Sequence, residues 1–208
     1  MGRVALVDHC TKVTHAIEQR LKKLAETTEG TLRVVLLCGM GGGTGGGMLV
    51  DLGALVRNIA ERLQRTVEVD AVLLTPPIAH TTTSPLATAN MFSLLSELRH
   101  AMLGGNQGVL SEGTATHPLE CRTAPFDYLY CVAPTATAQE DQREDVAEMV
   151  ASYLSQWHTP AAGWLMACRQ VPTPREQSLG QTLQLRTFAY ASLTYLGQEQ
   201  AEQQRQAL

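Results

Sequence analysis

The sequence predicts an α/β fold of the Rossmann-like kind, a mostly parallel sheet with helices on both faces. Three observations carry this. Short apolar runs at 32–38, 67–74 and 126–133 read as strands, and the first is nearly continuous, as suits a strand covered on both faces. Between the runs, apolar residues recur three and four apart, the period of a helix with one covered side. Right-handed crossovers between parallel strands place such helices on both faces. The chain has 208 residues, 44% hydrophobic and 17% charged. That balance argues against disorder. The length suits one domain, residues 1–208, with a full core.

The first helix is predicted over 8–25, where Val13, Ile17, Leu21 and Leu24 share a face opposite Lys12, Glu18, Arg20, Lys22 and Lys23. Gly30 stops it. Leu32 to Cys38 is the first strand, and a glycine-rich loop follows it. Helical spacing returns from Met48 to Leu63 through Leu52, Leu55, Val56 and Ile59. Val67 to Leu74 is the second strand. A loop rich in Thr and Pro leads to a helix over 86–102, with Leu86, Ala89, Phe92, Leu95 and Met102 near one side. Residues 104–125 are expected to form a long loop, a length that usually marks a functional or a mobile segment. Phe126 to Ala133 is the third strand. Residues 142–157 form a helix with Val146, Met149, Val150, Tyr153 and Trp157 in register. Residues 158–181 read as irregular, 184–195 as weakly strand-like, and 197–208 as either a terminal helix or a frayed tail.

Several function classes are set aside. The formal net charge of −4 offers no broad basic surface, so no nucleic-acid partner is expected. No apolar run approaches the ~18–20 residues of a membrane span. Met1 to Asp8 lacks the hydrophobic region and cleavage site of a signal peptide, so the expected location is cytoplasmic. Cys10, Cys38, Cys121, Cys131 and Cys168 are odd in number and include no Cys-x-x-Cys. Cys38 and Cys131 are expected to be small core residues. The six histidines lack metal-ligand spacing, so no metal site is expected.

One motif stands far above background. Gly41-Gly42-Gly43-Thr44-Gly45-Gly46-Gly47 follows a buried strand and precedes a helix. Glycines adopt positive φ and let a backbone approach a ligand with no Cβ in the way. Successive amides can form a nest for an anion, and the following helix adds its N-terminal dipole. Thr44 is the one hydroxyl in the run, suited to a phosphate oxygen or a metal-bound water. A Walker loop is excluded, because Gly47 is followed by Met48-Leu49 and not by Lys-Ser/Thr. A dinucleotide fingerprint fits Gly41, Gly43 and Gly46 poorly. Its ribose-binding acid should end the next strand, where Leu73-Leu74-Thr75 stands.

Cys38-Gly39-Met40 and the glycine run resemble the signature loop of the tubulin/FtsZ superfamily. Asn90 to Leu98 is similar to a helix of bacterial tubulin-like proteins, as is Arg186-Thr187-Phe188-Ala189 to a segment near the end of that region. The resemblance implies that Gly41, Gly42, Gly43, Thr44, Gly45, Gly46 and Gly47 hold the phosphates of GTP, with or without magnesium. Gly46 replaces the family's Ser or Thr. Further nucleotide contacts are implied at His80, Asn90 and Asp141, with Asp145 a second acceptor for guanine N–H groups.

The same resemblance makes the chain short at its N-terminus, lacking a first strand and glycine-rich loop. It also implies a hydrolytic acid in a later loop, but between His158 and Leu183 the one acid is Glu176. GTPase activity is therefore an open expectation, and no catalytic residue is assigned. The absent strand leaves Leu32 to Cys38 at a bare sheet edge, a template for self-association or for another chain. Two other readings stand beside the GTP-binding one: a tubulin-like scaffold without turnover, and a dinucleotide-binding Rossmann protein.

Overall fold

In the computed structural model, residues 2–76, 84–103, 123–133, 142–170 and 185–188 are described. Two helices open the chain, α1 (Gly2–Asp8) and α2 (Cys10–Thr27). They are followed by β1 (Leu32–Gly39), α3 (Gly43–Arg62), β2 (Val67–Leu74), α4 (Pro85–Met102), β3 (Tyr128–Val132), α5 (Gln142–Gln156) and α6 (Ala162–Gln170). The strands form one sheet in the order β1-β2-β3, and both pairs are parallel. Leu32 stands opposite Val67, and Asp70 opposite Tyr128. Beyond β3, Arg186 makes a parallel bridge to Tyr130, which bears out the strand-like reading at that point.

Strand alternation divides the core between the two faces. Val69, Ala71 and Leu73 of β2 join Leu32 and Cys38 of β1 and Leu129 of β3 beneath α2, α3 and α4. The opposite face holds Val72, Tyr130 and Val132, covered by Val146, Met149, Val150 and Tyr153 of α5. The α/β class, the parallel sheet and helices on both faces are therefore as the sequence predicts.

The turn into β1 uses Gly30 at φ +91°, a backbone conformation that glycine adopts without a steric penalty. Cys38 is buried as expected, while Cys131 is only partly covered.

Several boundaries and faces differ from the prediction. Residues 2–8 form a helix of their own, with Gly2 and Leu6 buried. The glycine run is not all loop, since α3 starts at Gly43 and not at Met48. β3 starts at Tyr128, because Asp127 exchanges backbone and side-chain bonds with Val69 while Phe126 turns into the core. α4 buries Leu94, Leu98 and Ala101, leaving Leu86 and Phe92 exposed. The segment after α5 contains α6, a helix where irregular chain is predicted, and it buries Arg169 while exposing Trp164 and Met166.

Candidate functional site

The carboxyl ends of the three strands meet along one rim. Met40 donates its backbone N–H to Leu74 at 2.9 Å, and Thr75 donates to Val132 at 2.9 Å. Ligands of open parallel sheets bind outside such strand ends. The glycine run leaves β1 here and winds directly into α3.

Each glycine of the run has a distinct neighbourhood, read from where a Cβ would fall. At Gly41 it would lie 3.2 Å from Ala87 Cβ and 3.4 Å from Pro76 Cβ. At Gly45 it would lie 3.2 Å from Cys38 Sγ, and at Gly47 3.2 Å from the backbone nitrogen of Arg3. Gly46 leaves an ordinary contact of 3.7 Å with Leu94. Gly41, Gly45 and Gly47 are the positions on which the protein itself closes. Among the described residues Gly39, Gly42 and Gly43 have nothing within 4 Å of such a Cβ, and all three are exposed. Positive φ plays no part in the run, since Gly30 is the one glycine with that conformation among the described residues. Close approach, rather than left-handed backbone, explains these glycines.

The helix start supplies donors. Gly46 N–H reaches Gly42 O at 3.4 Å, while the amides of the preceding first turn have no intrahelical acceptor. No acid lies in that turn to satisfy them, and its N-cap residue, Gly42, has no side chain to cap it. The exposed Thr44 hydroxyl stands beside them. N–H groups without an intrahelical acceptor, the positive end of the helix dipole and space at Gly42 and Gly43 clear of the described residues together suit a phosphate group.

The turn is braced by α4. Asn90 Nδ2 donates to Gly41 O at 2.9 Å. Ala87, Asn90, Leu94 and Glu97 follow helical spacing, and all four meet the glycine turn or the groups beside it. From the other side, α1 lies across the start of α3. A Cβ on Gly2 would strike the backbone oxygens of Thr44 and Gly43. Arg3 Nε donates to Asp51 Oδ2 at 2.8 Å, and Arg3 Nη2 pairs with Glu97. Burial pushes the Asp51 carboxyl pKa up, and Arg3 opposes that shift.

Of the residues singled out from sequence, the glycine run and Asn90 come together at this rim. His80, Asp141 and Glu176 lie outside the described residues, as does the side chain of Asp145. Ser84 holds the N-cap position of α4 but makes no side-chain cap bond. Arg99 and His100 are exposed. Sequence reasoning missed Arg3, Asp51 and Glu97. The available signal was Asp51, an acid one turn beyond Gly47 in an otherwise apolar stretch. Among the described residues no cluster of His, Cys, Asp and Glu could hold a metal ion, and no helix is long and apolar enough to cross a membrane.

The family model described as tubulin like matches residues 1–205 of the chain. No curated protein matches it.

Proposed function

The chain belongs to the tubulin-like family, and from that premise we propose that it binds a guanine nucleotide at the start of α3. The phosphates lie against the unpaired amides of the first turn, with Gly41 to Gly47 forming the cradle and the Thr44 hydroxyl donating to a phosphate oxygen. Asn90 orients the cradle through its bond to the Gly41 carbonyl. His80 and Asp141 contribute from the segments after β2 and before α5. Magnesium, if it accompanies the nucleotide, is held by phosphate oxygens.

One observation carries this reading. Among the described residues, Gly39, Gly42 and Gly43 have no neighbour within 4 Å of where a side chain would begin, while the other glycines of the run have close neighbours. Open space beside unpaired helix amides is what an incoming anion needs. The bound group supplies its own charge, and the chain's part is to orient donors toward it.

The proposal includes self-association. Among the described residues no strand pairs with the outer edge of β1. The same observation favours a second reading, an assembly module of this family that works without nucleotide turnover.

Titration of the full chain with GTP, GDP, ATP and inorganic phosphate, followed by calorimetry, tests the nucleotide reading. Guanine nucleotides are expected to bind at least about tenfold more tightly than ATP. No heat with any nucleotide at millimolar concentration would remove the proposal and leave the assembly reading.

A further inference from the structure

We propose that Arg3 is a positioning residue for the glycine turn, clamping α3 and α4 together from α1 so that the cradle is ordered only while α1 is docked. This rests on the nucleotide reading of the turn.

The contacts are specific. Arg3 pairs with Asp51 of α3 and with Glu97 of α4 at once. Asp51 is almost wholly buried, and Arg3 is its one cationic partner among the described residues. A buried carboxylate left without its partner is strongly destabilising, so the pair fixes where α1 sits. The backbone of α1 reinforces this. A Cβ on Gly2 would strike the backbone oxygens of Thr44 and Gly43, and a Cβ on Gly47 would press on the backbone nitrogen of Arg3. Asp51 lies one turn after Gly47, and Glu97 lies two turns after Asn90, which holds the Gly41 carbonyl. The ion pairs therefore lock the two helices just behind the donors that would face a phosphate. Groups that bind a ligand are effective only when supporting contacts fix their orientation. Arg3 touches no ligand in this scheme and acts through α3 and α4.

Hydrogen exchange read by mass spectrometry, with fluorescent GTP-analogue titration of the same samples, tests this. In Arg3→Ala, exchange across residues 46–56 is expected to rise about tenfold relative to residues 67–74 of β2, with a weakening of analogue binding of similar size. Glu97→Gln leaves the Arg3–Asp51 pair intact and serves if Arg3→Ala does not fold. It is expected to give a smaller rise confined to the same segment. Unchanged exchange at 46–56 in both variants, or a rise matched in β2, would overturn the proposal. If the wild-type chain binds no analogue, the nucleotide reading falls, and the exchange pattern still decides whether Arg3 orders the turn.

Discussion

Arg169 of α6 reaches into the sheet and pairs with Asp70 of β2, Nη2 to Oδ1 at 2.6 Å, with both side chains almost wholly buried. The guanidinium also lies 3.0 Å from Glu68 and stacks 3.8 Å over the Tyr128 ring. Glu68 in turn pairs with Arg33, whose guanidinium lies 3.4 Å over Trp157. A helix that exposes Trp164 and Met166 is thus held by its arginine.

Removing one partner of this pair is expected to cost about 3–5 kcal/mol, because the other charge stays buried. Asp70→Leu and Arg169→Met should each lower the midpoint of chemical unfolding. The double variant Asp70→Leu with Arg169→Met replaces both by apolar groups and is expected to recover most of the loss. Additive losses in the double variant would show that the two residues act separately. Urea titrations of the four proteins form the cycle.

The same pair makes stability depend on pH. Burial pushes the Asp70 carboxyl up to about 6, with Arg169 opposing it and the nearby Glu68 charge adding to it. For Arg169 burial pulls downward, but Asp70 and the other facing groups outweigh it and its pKa lies above the ordinary value. An acid with a raised folded pKa binds its proton more tightly folded than unfolded. Between the ordinary 3.8 and about 6 the folded state therefore holds more protons. The Asp70 contribution to stability falls as pH rises through that window. Asp70→Asn is expected to remove this part of the slope in denaturation series taken across it. An unchanged slope would rule out Asp70 as its source.

The glycine run divides into positions that the protein closes on and positions open to the proposed ligand. At Gly43 an added methyl meets nothing, and alanine in a helix is favoured over glycine, so Gly43→Ala should raise stability by up to about 1 kcal/mol. It should nevertheless weaken nucleotide binding about tenfold or more, because the methyl stands where a phosphate approaches. At Gly47 the methyl would lie 3.2 Å from the Arg3 nitrogen, and Gly47→Ala is expected to lose about 1–3 kcal/mol as α1 is pushed away. Thermal melts and titrations of both variants separate the two kinds of glycine. Full binding by Gly43→Ala would argue against a ligand at that opening.

The strands and the long helices were legible because they follow simple rules. β1 is an apolar run between turns, and α5 carries Val146, Met149, Val150 and Tyr153 at helical spacing toward the sheet. What escaped is what tertiary contacts decide. Glycine is a poor helix former, so nothing local starts a helix at Gly43; it forms there because α1, α4 and β1 close on its small residues. Residues 162–170 bury an arginine and expose a tryptophan, the reverse of the amphipathic rule. The partner that makes this favourable, Asp70, is 99 residues earlier in the chain. In the site, Gly41 to Gly47 were legible as a glycine-rich turn between a strand and a helix. Their division of labour was not, since it depends on which neighbours fill the missing side chains.

β1 offers an edge to a second chain. Its inner edge is fully paired with β2 from Leu32 to Gly39, while no described strand pairs with its outer edge. Leu37 on this strand is 54% exposed, an unusual state for a large apolar residue in a sheet. Natural edges are commonly protected by a lysine, and β1 has none. A second chain that adds a strand here would satisfy the open backbone groups and cover Leu37 together. Sedimentation velocity is expected to show concentration-dependent association of the full chain. Leu37→Lys should shift that equilibrium toward monomer while leaving the melting temperature nearly unchanged, because the residue is exposed in the isolated chain. A monomer at every concentration would count against association through β1. Association unaffected by the lysine would place the contact on another surface.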